Sequence, residues 1–545
     1  MELGRRDLVA AFLGTAVAQA ACRRGSRTPR PIPGELVDRQ VEVGHLLRGA
    51  PPPIAPGPPR TVDVLVVGAG IAGLCAAWRL ASAGIEDLVV CELDSEAGGT
   101  ARSGRNAVSA FPWGAHYLPA PRSDRGPVAR LLRELGAITG VDAEGRPSFA
   151  EQLLVREPEE RLFYRGAWYE GLYLRAGASA ADLAELARFE AKMDSFAAWV
   201  DGKGRKAFDV PSGKGSDDAE VTSLDRLSMA EWMDAEGYRS SRLRWLVDYA
   251  CRDDFGARAE HVSAWAGVWY FAARHDGKTK SAGYLTWPEG NGRLVRQLAT
   301  AVGPRRLLTS ALVHTVEPGE DGCRVHALDA RTRAPTSFFA RQVVFAGPRF
   351  VAGRVLSPWR KAPPGFLAEF QYSPWVVANL TLSAPPPSRG FPLAWDNVLY
   401  ESQSLGYVVA THQLERADDS GPTVLTWYYA LAGGDVRAER ARLLSAGYSE
   451  WEQLVAADLA PAHPGLDALA TRLEVWRWGH AMVRPRPGFI WGGARRAAEE
   501  SLGARVHFAH SDLGGMALFE EACFFGVRAA ERCLAGLGRA GESWQ

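Results

Sequence analysis

The sequence predicts an α/β fold: a parallel sheet opened by a βαβ unit and closed by a C-terminal strand–turn–helix, in a chain long enough for a further domain. Three observations predict it. Val62–Glu92 reads VDVLVVGAGIAGLCAAWRLASAGIEDLVVCE, a buried strand, a glycine turn, a helix and a second buried strand in unbroken succession. Val506–Leu534 reads VHFAHSDLGGMALFEEACFFGVRAAERCL, again a strand, a glycine turn and an amphipathic helix. The chain has 545 residues, 47% of them apolar, which is enough for two or three domains and a large core.

The first strand, Val62–Val67, runs into Gly68-Ala69-Gly70-Ile71-Ala72-Gly73, a G-x-G-x-x-G turn. Gly68 permits the tight turn, Gly70 has no side chain to block a diphosphate, and Gly73 lets helix and strand pack closely. The helix that begins around Ile71 and Ala72 presents unpaired N–H groups and a partial positive charge to phosphate. It continues through Ala81, and the second strand, Leu88–Cys91, ends at Glu92. An acid about 20 residues past the glycines is placed to accept hydrogen bonds from ribose hydroxyls. The unit is therefore read as Rossmann-like and dinucleotide-binding.

Downstream of Glu92 stand Gly98, Gly99 and Arg102. Two glycines admit backbone to the other side of a pyrophosphate, and an Arg can neutralise it. The set Glu92, Gly98, Gly99 and Arg102 resembles the E-x-x-x-x-x-G-G-x-x-R segment of the flavin amine oxidase and phytoene desaturase superfamily. The C-terminal strand–turn–helix resembles the same family's closing flavin motif, with Asp512 at the acid and Gly526, Ala529 and Ala530 at the small helix positions. Tyr284–Ala299, the strand region Arg306–Val316 with Val313, and Gln342–Pro348 resemble its intermediate blocks, in the family's order. The resemblance implies an amine oxidase-like two-domain flavoprotein. Its FAD-binding domain would comprise 61–118, 284–360 and 475–540, and its discontinuous α+β substrate-binding domain 119–283 and 361–474. Strands are expected at Tyr372–Leu382, Tyr407–Thr411 and Thr423–Ala430.

The implied chemistry is hydride transfer to FAD from a C–N or C–C bond of a largely apolar small molecule, with oxygen or a quinone as electron acceptor. The alternatives are a desaturase or isomerase of a lipid- or carotenoid-like substrate, and a non-redox, mutase-like flavoenzyme. Where family members carry a flavin-linking cysteine this chain has His480, so FAD is expected to be noncovalent. The two flavin-flanking aromatic positions fall at Ala481 and Leu518. After Lys361 there is no Lys, and Asn379 is the amide on the strand that often carries one. His480, Asn379, Trp478 and His116 are the catalytic candidates, and Trp375 is a further pocket candidate. Gly114 is expected to allow close approach to the flavin ring. Glu520 and Glu521 are unexpected on a helix that should abut it.

Residues 1–22 resemble a twin-arginine export signal: Arg5-Arg6 precede an Ala-rich apolar stretch. Export to the periplasm or cell envelope through the twin-arginine machinery follows as an expectation, with membrane attachment only through lipidation of Cys22. Residues 23–60, rich in Arg and Pro, read as an extended, unpacked linker. The formal net charge of zero argues against nucleic acid as a partner. Seven scattered cysteines form neither a disulfide framework nor a metal-ligand pattern.

Overall fold

The computed structural model describes residues 30–38, 41–50, 52–274, 283–414 and 420–545. The export-type signal and Cys22 lie outside them. A seven-stranded sheet carries the nucleotide-type unit. Arg60–Val67 lies between Leu88–Cys91 and Pro335–Phe345, all parallel, and Leu307–Leu308 extends the sheet beyond Leu88–Cys91. The first half of Pro335–Phe345 pairs antiparallel with Cys323–Asp329, and its last three residues pair parallel with Val506–Phe508. The distant C-terminal strand thus enters the sheet begun by the N-terminal unit.

Alternation fixes the two faces of this sheet. Val64 and Val66 pack under the helices Ile71–Ser82 and Phe519–Gly536, while Leu65 and Val67 face the opposite apolar cluster. The two helices meet at backbone distance because Gly526 lacks a side chain: a Cβ there would lie 2.3 Å from the Ala72 carbonyl oxygen. This contact sets where the N-terminus of Phe519–Gly536 points.

The second domain is an eight-stranded sheet backed by helices. Its centre is antiparallel, with Tyr372–Leu382 between Thr423–Ala430 and Ala470–Val483. Tyr407–Val409, Asp396–Leu399, Glu160–Tyr164 and Ala167–Glu170 continue it on one side. Ala180–Ala198, Met229–Ala235, Ser241–Phe255 and Ala264–Ala272 form the helical part. Capping boxes at Ser179 and Ser228 start two of these helices.

Two sequence expectations are corrected. The described part of 23–60 is not an unpacked linker. Gly34–Leu36 adds a parallel strand to Leu473–Val475, and Ile32 and Val43 are buried. Gly34 permits the pairing, since a Cβ would lie 1.7 Å from the Leu473 carbonyl oxygen. The prolines that suggested stiffness cluster later, from 51 to 59. The boundary at 475 also moves, because Ala470–Val483 is one continuous strand of the second sheet.

Candidate active site

The glycine turn opens a cavity of about 670 Å³ between the two sheets. Gly68 (φ +96°), Gly98 (φ +130°) and Gly99 (φ +54°) adopt backbone that side chains disfavour. The turn and the second glycine pair are held together by the Gly98 N–H, which donates to the Ala69 carbonyl at 2.8 Å. A Cβ on Gly70 would meet nothing within 4 Å, so the space beside it belongs to the cavity. Gly73 does not reach the cavity; its Cβ would lie 1.9 Å from the Gly68 carbonyl oxygen, so it serves helix–turn packing.

Glu92 lines the cavity and is oriented by two backbone donors, Ala69 N–H at 2.7 Å and Asp94 N–H at 2.9 Å. Burial pushes its carboxyl up, and these two bonds oppose that shift. Ile71, Ala72, Val313 and Leu518 complete this wall. A β-bulge between Val313 and Thr315 breaks the ladder beside Val313. Asp512 is 1% exposed and accepts from the Tyr372 hydroxyl at 2.6 Å and the Arg349 N–H at 2.9 Å. Burial works against its charge, but His510 at 3.0 Å and these bonds outweigh it and hold the carboxyl below the usual range.

Arg102 behaves differently from the expectation. Its guanidinium bonds to Asp94 at 2.6 Å and stacks over Trp476 at 4.7 Å, lining a separate surface pocket. Asp94 provides the counter-charge that a diphosphate was expected to provide.

A second cavity of about 140 Å³ adjoins the first, sharing Trp478, Ala481 and Leu518 with it. His116, Tyr117, Trp375 and Tyr428 give it aromatic walls. His116 stacks on Tyr428 with ring centroids 4.8 Å apart, and burial lowers its imidazole to about 4, so it is neutral at ordinary pH. The Trp478 indole N–H donates to the Trp113 carbonyl at 2.6 Å. Gly114 also lines this cavity, and a Cβ would lie 2.2 Å from the Thr100 carbonyl oxygen. Its glycine is required by that close passage of two loops.

Asp253, Asp254, Arg274, Asn291 and Glu520 form the polar part of the second cavity. Arg274 Nη2 pairs with Asp254 at 3.1 Å, and the Tyr117 hydroxyl donates to the other Asp254 oxygen at 3.4 Å. Burial, together with Asp254, raises Asp253 to about 7. Burial also raises Glu520, against the pull of Arg274. Asn291 is 1% exposed; its amide N–H donates to the Tyr117 carbonyl at 2.9 Å, and its Oδ1 has no partner among the described residues. Sequence reasoning missed Asp253, Asp254, Arg274, Asn291 and Tyr428. The one local signal was the Asp253-Asp254 pair at the end of an otherwise packed helix.

One catalytic candidate changes role, and His480 falls on the cofactor side. Asn379 is fully buried away from both cavities, donating to the Pro112 carbonyl at 3.1 Å and accepting from the Thr426 hydroxyl at 2.7 Å. It shares the strand face of Trp375 and Val377 but sits further along, where it ties the sheet to the Pro112 loop. His480 lines the first cavity and not the second. It stacks on Phe350 at 4.0 Å, and burial, reinforced by Arg440, lowers it to about 3. Glu521 is explained by a hydrogen bond across the fold: it accepts from the Ser212 N–H at 2.5 Å and anchors that loop.

A cavity walled by a dinucleotide-type glycine turn thus opens onto a second pocket with aromatic walls and a polar end, the arrangement of a cofactor site beside a ligand site. The sequence model of the family described as flavin containing amine oxidoreductase matches residues 71–534, and the chain belongs to that family. It is a flavin-dependent oxidoreductase. Solved structures of similar fold include a redesigned double mutant of putrescine oxidase, with 18% identity, a TM-score of 0.65, and coverage of 88% of this chain and 100% of that one. Cyclohexylamine oxidase from Brevibacterium oxydans has 17% identity and a TM-score of 0.63, over 88% of this chain and 100% of that one. A CLA-producing fatty acid isomerase from P. acnes has 14% identity and a TM-score of 0.58, over 85% and 97%. These likenesses establish the fold. Among curated proteins, thiamine thiazole synthase from Aeropyrum pernix is 42% identical over 73 residues, 13% of this chain, and the match spans 23% of that protein's length.

Proposed function

We propose that the protein binds FAD noncovalently in the first cavity and oxidises the C–N bond of an amine with an apolar body held in the second. The observation that carries the substrate reading is the balance of donors and acceptors in the second cavity. Among the described lining residues Asp253, Asp254 and Glu520 are three carboxyls against the one guanidinium of Arg274, and both Asp254 oxygens are already engaged, by Arg274 and by the Tyr117 hydroxyl. A ligand that donates hydrogen bonds and carries positive charge complements this set, and the aromatic walls favour a cation and an apolar body together. Bound in the first cavity, the flavin would supply the two-electron acceptor for a hydride from carbon.

The chain's own residues supply the rest. The Gly68–Gly70 turn, Glu92, Gly98, Gly99, Val313, Asp512 and Leu518 would hold the cofactor, and the open space beside Gly70 fits a diphosphate. An amine must lose its ammonium proton before it yields a hydride. Asp253, raised to about 7, is suited to take that proton at its carboxylate. Trp478, Trp375 and Tyr428 orient the apolar body and exclude water. Noncovalent attachment is supported by His480 at the position of the family's linking cysteine. Oxygen or a quinone remains the proposed acceptor, and export the proposed destination, on the sequence around Arg5-Arg6.

Acid precipitation of the purified protein, followed by a visible spectrum of the supernatant, tests the cofactor: free FAD is expected there, and flavin kept in the pellet would contradict noncovalent binding. Anaerobic titration then compares aliphatic and aromatic amines with polyunsaturated fatty acids. Bleaching by amines is expected. Bleaching by the lipids alone would move the substrate to C–C bonds, and lipid conversion without bleaching would indicate isomerisation.

A further inference from the structure

The first cavity has a wall that the family match, which begins at residue 71, does not include. Gly44, His45, Leu47 and Arg48 line it. They belong to a segment fastened to both halves of the molecule. At one end Gly34–Leu36 pairs with Leu473–Val475, the Tyr448 hydroxyl donates to the Ile32 carbonyl at 2.6 Å, and Asp38 pairs with Arg477 at 3.0 Å. All three anchors lie on the second-domain side. At the other end Val43 is buried against Leu312 and Ala330 of the nucleotide sheet, with Leu46, Leu47 and Leu93 beside them. Residues 32–38 are thus tied to one sheet and residues 41–48 to the other, with 44–48 lining the cavity between them.

Charge gives this wall a specific task. A dinucleotide diphosphate carries two negative charges, and Arg102, the cation expected to meet them, is committed to Asp94. Among the described lining residues, the arginines that face the first cavity are Arg48, from the N-terminal segment, and Arg354, from the helix Arg349–Val355. The same cavity presents the carboxylates Glu92, Asp94 and Asp512. Without the segment the cavity loses one of its two arginines and a wall between its two sheets.

We infer that residues 32–38 and 41–48 form a clasp that completes the cofactor site, with Arg48 as a counter-charge for an anionic dinucleotide and the strand pairing at Gly34 as the latch. The inference rests on the proposed FAD reading. Affinity changes of this kind appear chiefly in the release rate.

The test measures flavin release from the reconstituted full-length protein, followed by the fluorescence gained on dilution, at low and high salt. Gly34→Val cannot keep the latch, because its side chain would enter the Leu473 carbonyl. It is expected to release flavin roughly tenfold faster or more, about 1.4 kcal/mol of lost retention. Arg48→Gln leaves the latch intact and removes only an exposed charge, so it folds even if Gly34→Val does not. It is expected to release flavin severalfold faster at low salt, with a shallower salt dependence than wild type. Wild-type release rates in Arg48→Gln at both salts, or in a folded Gly34→Val, would overturn the clasp while leaving the cofactor reading intact. A wild-type protein that takes up no flavin would overturn both.

Discussion

The first cavity is built mainly from backbone and small residues, the second from large side chains gathered across the chain. In the first, Gly68, Gly70, Gly98 and Gly99 give the wall its shape, and Glu92 and Asp512 are held by N–H groups and a tyrosine hydroxyl. These two carboxylates are held in place before any ligand arrives. In the second, burial and Asp254 raise Asp253 to about 7, and burial raises Glu520 as well. One site is settled in advance and the other is left polar and unbalanced. A cofactor that stays bound suits the first, and a substrate that comes and goes suits the second, where unpaired groups lower their free energy only when the right ligand enters.

The contrast can be broken most sharply at Gly70. A valine there places a side chain in open cavity space that belongs to the proposed diphosphate. Gly70→Val is expected to abolish flavin binding while the protein remains folded, checked by flavin absorbance beside far-ultraviolet circular dichroism. A full complement of flavin in the purified variant would remove the basis for placing the cofactor in the first cavity.

Arg274→Ala tests the opposite property. It leaves Asp254 and Glu520 buried beside Asp253 without their cation. Breaking a buried ion pair from one side costs about 3–5 kcal/mol, so a large fall in denaturant midpoint is expected. Unchanged stability would show that water reaches these carboxyls freely. Glu92→Ala is milder, because the site around it is backbone. Loss of its charged hydrogen bonds should weaken FAD by about 1–3 kcal/mol in a titration of apo-protein. An unaltered dissociation constant would count against the ribose role.

The same contrast explains what could be read from the sequence. The strand–turn–helix of the first cavity occupies consecutive residues, so spacing alone locates Gly68, Gly70 and Glu92. The strands Leu88–Cys91, Tyr372–Leu382 and Thr423–Ala430 were legible for a similar reason, as short apolar runs bounded by turns. The second cavity has no such local code. Asp253 and Glu520 stand far apart in the chain and line one cavity only because Ser241–Phe255 ends where Phe519–Gly536 begins. Asn379 misled because strand alternation gives its face but not its distance from the pocket. Gly34–Leu36 escaped notice because three residues carry no periodicity, and their partner strand lies more than 400 residues away.

Asp253 gives the finest test of the unbalanced second cavity. Burial and Asp254 raise it to about 7 against Arg274 and Arg252, whereas an unfolded chain ionises Asp near 3.9. Between about pH 4 and pH 7 the folded protein therefore keeps a proton that the unfolded chain has released. Asp253 makes stability fall as pH rises through that window and adds no further loss above about 7. Asp253→Asn removes the ionisation. Its melting temperature relative to wild type should rise steadily from pH 4 to pH 7 and then level off. The comparison must be a difference, because Glu160 and Glu521, both raised to about 7, titrate in the same window in both proteins. A difference independent of pH would mean that Asp253 is solvated like a surface carboxylate. The variant should also bind cationic amines more weakly and lose the rise in amine oxidation rate near pH 7, a change that neutral substrates would not report.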